Sequence, residues 1–234
     1  MSTHRIYLER IPDGDQALVV GDEAHHALRV KRLVTGDGVE VIDGRGTIAA
    51  ARIRDTRKRG QAWEVALDIV SRVTAPRPTP ALHVLASAPK GDRLHDMIAG
   101  LSQVGAASWS PLLSARTIAE PREAKMERLS HVAVESLKQC GRPWLLEILP
   151  AMALADAASR PRVIVADGSG TPYRHAAGLD HTLLIGPEGG WTSDELAVLR
   201  AAGATIASFG AHTMRTETAA VVAAGIVLHA SLAG

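Results

Sequence analysis

Residues 182–190 read TLLIGPEGG, in which the uncharged run of residues 182–185 leads directly into a glycine-rich turn at residues 186–190. Residues 163–166, Val-Ile-Val-Ala, form a second continuous apolar run. Runs of this kind are typical of strands that are buried on both faces of a parallel sheet. The two segments therefore predict neighbouring core strands in the C-terminal part of the chain.

Predicted strands and helices alternate along residues 81–234. The predicted strands are residues 82–87, 107–113, 163–166, 182–185 and 206–209. The predicted helices are residues 92–104, 122–139, 192–202 and 217–233. The third helix begins with Thr192 and Glu195 at the spacing of a capping box. This alternation predicts an α/β fold with a mostly parallel sheet.

Three predicted strand ends carry residues that suit a ligand site: Ala166-Asp167-Gly168, Ile185 to Gly190, and Phe209-Gly210. Ligands of open parallel sheets bind beyond the carboxyl ends of the strands, and glycine lets a ligand approach the backbone closely. The loop at residues 186–190 lacks both the lysine of a Walker motif and the G-x-G-x-x-G pattern, so it does not favour a nucleotide-binding site. An ordinary turn before a helix is the alternative interpretation.

Residues 214–219, Met-Arg-Thr-Glu-Thr-Ala, are a second candidate site. Thr216 is suited to cap the final helix, and Glu217 suits its positive N-terminal end. These structural roles do not explain Arg215, because a cation is unfavourable at that end of a helix. Arg215 is therefore a candidate for contacting a phosphate or a carboxylate.

The N-terminal part is β-rich. The predicted strands are residues 6–8, 17–20, 38–43, 47–53 and 63–70, with one helix at residues 22–33 and Asp22 as its N-cap. Asp43-Gly44-Arg45-Gly46 predicts a hairpin turn. Short strands at close spacing predict a small barrel over residues 1–73. Three alternating prolines within residues 74–80 predict an extended linker.

The net and local charge of the chain indicates what kind of partner it binds. The whole chain carries a net charge of +1, which gives no global case for a nucleic-acid partner. Locally, residues 52–59 hold five basic residues and one acid, and Arg29, Lys31 and Arg32 cluster on the first helix. A surface that meets RNA phosphates is the functional interpretation, and a solvated charged face is the alternative. Paired His25 and His26 lack further residues at metal-ligand spacing.

Together, these motifs resemble the bacterial 16S ribosomal RNA uridine-N3 methyltransferase family, of the SPOUT class. The N-terminal match is His25-x3-Arg29, Gly36-Asp37 and Asp43-Gly44-x-Gly46. The C-terminal match is listed here in chain order: Lys90 to Leu94, Pro111-Leu112-x-Ser114-x-Arg116, Glu135-x3-Gln139-x2-Arg142, Ile185 to Gly190, and Gly210-x3-Met214-Arg215-Thr216-Glu217-Thr218. The chain departs from the family pattern at Gln103 and Ala115.

The resemblance implies a small PUA-like RNA-binding barrel (residues 1–73) and a SPOUT methyltransferase domain with a trefoil knot (residues 81–234). It implies S-adenosyl-L-methionine as cofactor, a homodimer, a cytoplasmic location, the small ribosomal subunit as partner, and no metal or membrane. The implied cofactor residues are Ala166, Asp167, Ile185, Gly186, Pro187, Glu188, Gly189, Gly190, Phe209, Gly210, Thr213, Met214, Arg215 and Thr218. The implied RNA contacts are Arg29, Lys31, Arg32, Arg45, Arg93, Arg116, Gln139 and Arg142.

Methylation at N3 of uracil requires an aligned donor, an exposed base, and a group that accepts the N3 proton or stabilises the resulting anion. Arg215 is the candidate for stabilising the anion, and Glu217 is the candidate base. Two other functions stay open: a SPOUT methyltransferase that acts on another RNA, and a ribosome-assembly RNA-binding protein without catalysis.

Overall fold

The chain forms two structural units. A computed structural model describes residues 4–60, 62–117, 121–174 and 179–232. One unit consists of Met1–Arg77 with Leu137–Leu145, and the other of Pro78–Ser136 with Leu146–Gly234. The predicted division left residues 137–145 in the C-terminal domain, and its linker, residues 74–80, is divided here between the two units.

The N-terminal unit is built on a five-stranded sheet in the order β1-β3-β4-β5-β2. The strands are β1 (His4–Tyr7), β2 (Gln16–Val20), β3 (Gly38–Ile42), β4 (Thr47–Arg59) and β5 (Ala62–Thr74). β1 pairs with β3 in parallel, and the other pairs are antiparallel. Within the described residues β1 and β2 are the sheet edges, so backbone pairing does not close the predicted barrel.

Side-chain alternation explains why these strands share one core. Val65, Leu67 and Ile69 of β5 are buried, whereas Ala66 and Asp68 between them are partly exposed. Val39 and Val41 of β3 and Ile53 of β4 enter the same apolar cluster. One face of the sheet is therefore buried in the core and the other is more exposed, as the period-two pattern predicts.

The predicted N-terminal helix is shorter and less regular than expected. α1 (Gly21–His25) continues into a π-helical segment, His26–Val30. The prediction that Asp22 is the N-cap is wrong, because β2 runs to Val20 and the helix begins at once at Gly21. Asp22 lies instead in the first turn.

The turn between β3 and β4 has the predicted turn chemistry. The Asp43 carboxylate accepts hydrogen bonds from the backbone N–H groups of Arg45 (2.8 Å) and Thr47 (2.9 Å). Gly44 and Gly46 have φ angles of 66° and 103°, which side chains disfavour. The turn is therefore held by one carboxylate and two glycines.

Residues 137–145 belong to the N-terminal unit through long-range contacts. Lys138 Nζ lies 2.6 Å from Oε1 of Glu23, and the Lys138 carbonyl accepts a hydrogen bond from Arg5 (2.9 Å). Trp144 Nε1 donates to the carbonyl of Pro76 at 2.9 Å. These partners are remote in sequence, so local patterns could not reveal the grouping.

The C-terminal unit is built on a parallel sheet in the order β12-β10-β11-β6-β7-β8, with β9 paired to β7. The strands are β6 (Leu82–Ala86), β7 (Ser108–Leu113), β8 (Glu147–Ile148), β9 (Met152–Ala153), β10 (Val163–Pro172), β11 (His181–Ile185) and β12 (Thr205–Ser208). The helices are α2 (Arg93–Val104), α3 (Glu123–Cys140), α4 (Leu154–Ala158), α5 (Ser193–Ala201) and α6 (Thr216–Leu232). The predicted α/β alternation is confirmed, whereas the short β8, β9 and α4 were not predicted.

The central strands carry the core. Every residue of β11 is buried, and β11 lies between β10 and β6. Leu183 pairs with Ile164 on one side and Val84 on the other. In the described part of the chain, no helix is long and apolar enough to cross a membrane. The trefoil knot that the resemblance implies stays a prediction.

Candidate active site

A cavity of about 300 Å³ opens at the carboxyl ends of β11 and β12 and at residues 166–168 within β10, where the pairing of β10 with β11 ends. These strands are neighbours in the sheet, so the three segments meet at one side of the sheet. The lining residues are Ala166, Asp167, Gly168, Ile185, Gly186, Pro187, Glu188, Gly190, Trp191, Ser208, Phe209, Gly210, Ala211, His212, Thr213, Met214, Thr216 and Ala219. All three predicted strand ends therefore contribute to one cavity.

The loop after β11 is shaped by Trp191 and two glycines. Gly190 has a φ of 68°, and its N–H donates to the Pro187 carbonyl at 2.8 Å, which closes a tight turn. Trp191 Nε1 donates to the Ala166 carbonyl at 3.1 Å and so links this loop to β10. A Cβ on Gly186 would lie 3.0 Å from the Trp191 ring, so glycine allows the indole to form part of the cavity wall.

Glu195 fixes the start of α5 behind this loop. The predicted capping box is confirmed: Thr192 Oγ1 accepts from the Glu195 N–H at 3.1 Å, and the Glu195 carboxylate accepts from the Thr192 N–H at 2.8 Å. The second Glu195 oxygen accepts from the N–H of Ala115 at 2.7 Å. Glu195 is buried, so one carboxylate serves the helix start and the segment after β7.

Replacing Glu195 with alanine should lower the free energy of unfolding of the C-terminal unit by about 2–4 kcal/mol, because two backbone donors lose their acceptor. Chemical denaturation followed by circular dichroism measures this change. Asp194→Ala is the matched control, because Asp194 lies beside Glu195 in the same helical turn but is exposed. Equal losses in both variants would contradict the assigned role.

The loop after β12 forms the opposite wall. Phe209 stacks on Tyr173 with ring centroids 5.3 Å apart, which fixes an aromatic face at the cavity. Thr216 was predicted to cap α6, but the helix begins at this residue. Its hydroxyl donates instead to the Gly186 carbonyl at 3.3 Å. Thr216 is buried. Its hydroxyl therefore links the segment after β12 to the loop after β11, and these two face each other across the cavity.

The two predicted catalytic residues lie in different environments. Arg215 is exposed and forms no ion pair with any residue that the structure describes. Glu217 is mostly buried, with 14% of its side chain exposed, and its Oε1 lies 3.9 Å from Nη1 of Arg93. Neither residue lines the cavity, although Thr216 between them does. Both therefore lie next to the cavity wall rather than inside it.

Three predicted cofactor residues, Gly189, Arg215 and Thr218, are outside the cavity lining. Gly189 is covered by Arg116, whose guanidinium donates to the Gly189 carbonyl. Several other residues also line the cavity. Gly168, Thr216 and Ala219 lie in the predicted candidate sites but not in the implied cofactor list, and Trp191, Ser208, Ala211 and His212 were not predicted. Each of these four adjoins a predicted residue along the chain, so extending the predicted segments by one residue would have found them.

The predicted RNA contacts divide between the two units. In the N-terminal unit, Arg29, Lys31, Arg32 and Arg45 are all exposed. The guanidinium of Arg29 lies 5.9 Å from the ring centre of Trp63. In the C-terminal unit, Arg116 contacts the cavity loop, and Arg93 lies near two carboxylates, which are described below.

A second cation, Lys58 of β4, also contacts Trp63. Lys58 Nζ lies 5.2 Å from the centre of the Trp63 ring, so two cations approach the same indole. Asp55, the acid within the basic run, is engaged by Arg57 at 2.6 Å, and that hydrogen bond lowers the pKa of Asp55. Lys58 belongs to the predicted basic run of residues 52–59, whereas Trp63 was not part of the predicted RNA-binding surface.

Gln139 and Arg142 lie in the segment that joins the N-terminal unit. Gln139 is exposed, and its carbonyl accepts a hydrogen bond from Arg5 at 3.3 Å. Arg142 is half-buried, and burial lowers the pKa of its guanidinium. Of these two predicted RNA contacts, Gln139 is therefore the more accessible. Among the residues described, no group of three or more His, Cys, Asp or Glu side chains is arranged to hold a metal ion.

A cavity of this size beyond the strands of a parallel sheet is a common site for a small-molecule ligand. A family model described as RNA methyltransferase domain matches residues 76–228, and one described as RNA methyltransferase PUA domain matches residues 21–62. The chain belongs to the RNA methyltransferase domain family.

Individual relatives and solved structures are also similar to this chain. Ribosomal RNA small subunit methyltransferase E of Mycobacterium bovis is 29% identical to this chain, over 94% of this chain and 89% of that protein. A Legionella pneumophila methyltransferase in complex with bound SAM aligns with a TM-score of 0.86 at 23% identity, covering 99% of both chains. Ribosomal RNA small subunit methyltransferase E from Neisseria gonorrhoeae, bound to S-adenosyl methionine, aligns with a TM-score of 0.83 at 24% identity, covering 96% of both.

These likenesses confirm the predicted fold class, an α/β domain of SPOUT type with a PUA-like N-terminal domain.

Proposed function

We propose that this chain transfers a methyl group from S-adenosyl-L-methionine to N3 of a uridine in the 16S RNA of the small ribosomal subunit. The observation that carries the proposal is the cavity formed by residues 166–168 of β10 and the loops after β11 and β12. It is supported by the family membership and by relatives named as small-subunit RNA methyltransferases.

The chemistry of the cavity fits the cofactor. Ile185, Phe209 and Met214 offer apolar surface to an adenine ring, and the Asp167 and Glu188 carboxylates suit ribose hydroxyls and a positive charge. One Asp167 oxygen already accepts from the N–H of Ser169 at 2.9 Å, which fixes the carboxylate. The bound cofactor would supply an electrophilic methyl group on a sulfonium. The residues of the chain hold it in place and exclude water.

Arg215 and Glu217 are the proposed catalytic residues. Arg215 is exposed next to the cavity and has no ion-pair partner in the described part of the chain, so its guanidinium is available to an incoming RNA. It would stabilise negative charge on the uracil carbonyl oxygens or hold a phosphate. Glu217 is the candidate acceptor of the N3 proton.

The exposed cations of the N-terminal unit are proposed to bind RNA. Arg29, Lys31 and Arg32 follow one another along the π-helical segment and the turn after it. Arg29 and Lys58 also approach Trp63, a ring on which a base can stack. Phosphate neutralisation by such residues predicts binding that weakens as salt rises. The 16S RNA substrate implies action in the cytoplasm.

A homodimer through α6 is part of the proposal. The helix has no charged residue from Thr218 to its end at Leu232, and Val222 and Ile226 are 37% and 38% exposed one turn apart. Exposed apolar side chains aligned on one helical face favour association with a second copy.

The variant Ile226→Glu should convert a dimer into a monomer, because a charge would have to be buried in the interface. Sedimentation velocity at micromolar concentration measures the mass. Val198→Glu is the control, since Val198 is an exposed valine on α5. The dimer proposal fails if Ile226→Glu keeps the mass of two chains.

The methylation proposal is tested with small subunits purified from cells that lack this protein. The chain is incubated with them and with methyl-labelled cofactor, and the RNA is digested to nucleosides. We expect labelled 3-methyluridine at one position of 16S RNA. Label in transfer or large-subunit RNA instead would identify another substrate, and cofactor binding without label in any RNA would indicate a non-catalytic RNA-binding protein.

A further inference from the structure

Arg93, Glu188 and Glu217 form a charged cluster beside the cavity, here called the Arg93 cluster. Nη1 of Arg93 lies 3.7 Å from Oε1 of Glu188 and 3.9 Å from Oε1 of Glu217. Arg93 begins α2 just after β6, and Glu188 follows β11. Because β6 and β11 are adjacent parallel strands, the segments after them meet at the same edge as the cavity.

The hydrogen-bonding capacity of the cluster is not used within the described residues. Both ion-pair distances exceed the length of an N–H···O hydrogen bond. Oε2 of Glu217 is buried and accepts no hydrogen bond from any described residue. Leaving a buried carboxylate oxygen without a hydrogen bond costs at least about 1–3 kcal/mol. Helix formation alone does not require this arrangement, because an exposed glutamate would serve α6 equally well.

The charges of the cluster do not balance. One guanidinium faces two carboxylates, so the cluster has a formal charge of −1 and lacks a donor. Arg93 and Glu188 are both partly exposed, so a ligand can reach the cluster from solvent. Glu188 also lines the cavity, and Thr216, which precedes Glu217, lines it too. The cluster and the proposed methyl-donor site therefore share a wall.

We infer that the Arg93 cluster recognises the imide edge of the target uracil, an inference that rests on the proposed function. That edge presents a carbonyl oxygen, the N3–H donor and a second carbonyl oxygen. Arg93 donates to one carbonyl oxygen, and Glu217 accepts the N3–H. The terminal torsion of a glutamate is soft, so rotation brings either Glu217 oxygen toward the base.

The same pairing rejects cytosine. Cytosine has a lone pair at N3 in place of N–H, so its N3 would face the Glu217 carboxylate without a proton between them. Its exocyclic amino group would direct donors at the donors of Arg93. A site built for specific polar groups strongly disfavours an analogue that leaves them unpaired. Arg93 is thus a specificity-determining residue.

The cluster also suits the chemical step. The N3–H bond breaks and its proton passes to Glu217. The electron pair left on N3 forms the bond to the donor methyl carbon, and the bond from that carbon to sulfur breaks with its pair on sulfur. Arg93 stabilises the negative charge that spreads to the carbonyl oxygen during this step. Glu217 then releases its proton to water.

The test compares the wild-type chain with Arg93→Met, Arg93→Lys and the control Arg200→Ala, an exposed arginine at the end of α5. Binding to small subunits is measured with S-adenosylhomocysteine present. One set of subunits carries the uridine that the wild-type chain modifies, and a second set carries cytidine there. Calorimetry with S-adenosylmethionine verifies that each variant folds and binds cofactor.

We expect wild type and Arg200→Ala to bind the uridine subunits at least about 10-fold more tightly than the cytidine subunits. Arg93→Met should lose this preference and lose about 100-fold in kcat, with unchanged cofactor affinity. Arg93→Lys should fall between, because it keeps the charge without the planar fork. If Arg93→Met does not fold, the preference of Arg93→Lys for uridine over cytidine subunits tests the inference instead.

An unchanged preference for uridine in the Arg93 variants, while the wild-type chain methylates normally, would overturn this inference and leave the proposed function intact. A wild-type chain that methylates no uridine would contradict both.

Discussion

Replacing Arg215 with alanine is expected to lower kcat for RNA methylation by about 100- to 1000-fold, the usual cost of removing one donor that stabilises developing charge. The affinity for S-adenosylmethionine should change little, because Arg215 does not line the cavity. Single-turnover methylation of small subunits measures the rate, and calorimetry measures the affinity. A loss of cofactor affinity equal to the loss of rate would assign Arg215 to the cofactor site instead.

Two variants control this experiment. Arg200→Ala removes an exposed arginine of the same unit and should leave the rate unchanged. Arg215→Lys retains the charge but not the planar pair of donors, so partial activity would indicate an electrostatic role and full loss a bidentate contact. Normal turnover by Arg215→Ala would refute its catalytic assignment.

Replacing Gly46 with alanine is expected to lower the stability of the N-terminal unit by about 3 kcal/mol or more. Gly46 has a φ of 103°, and an added Cβ would lie 2.5 Å from Cζ2 of Trp144 and 2.9 Å from the carbonyl oxygen of Ala75. Both the backbone and the neighbouring ring would have to move. Hydrogen exchange of the amides in β3 and β4 measures the local loss.

The variant Gly36→Ala separates the effect of backbone strain from that of the steric collision of an added Cβ. Gly36 has a similar φ of 96°, but no atom of the described residues lies within 4 Å of an added Cβ. Its cost should therefore be limited to the backbone term, roughly 1–2 kcal/mol. If the two variants were equally destabilised, the contact between Gly46 and Trp144 would carry no weight in the fold.

Regular local patterns were sufficient to predict much of the fold. Apolar runs predicted β10 and β11 because both are central strands, and alternation predicted β3 and β5 because one face of their sheet is buried. The short strand β8 was missed because it is only two residues long, too short for a periodic signal.

Regular local patterns were also sufficient to predict part of the candidate site. The strand-end rule led to Asp167 and to the loops of Gly186 and Gly210, because it depends on sheet order alone. The structure differs only in that β10 continues past Asp167 to Pro172. It could not predict that the Thr216 hydroxyl joins the Gly186 carbonyl or that Arg93 faces Glu188 and Glu217. Those contacts join residues that are remote in sequence, and only the folded chain brings them together.

A crystal structure of the protein with S-adenosylmethionine tests most directly whether the glycine-lined strand ends hold the methyl donor. We predict electron density for the donor between the Gly186–Gly190 loop and the Phe209–Met214 loop, with its methyl group directed toward the Arg93 cluster. Density elsewhere, or an empty cavity at saturating donor in a protein that calorimetry shows to bind it, would contradict the assignment.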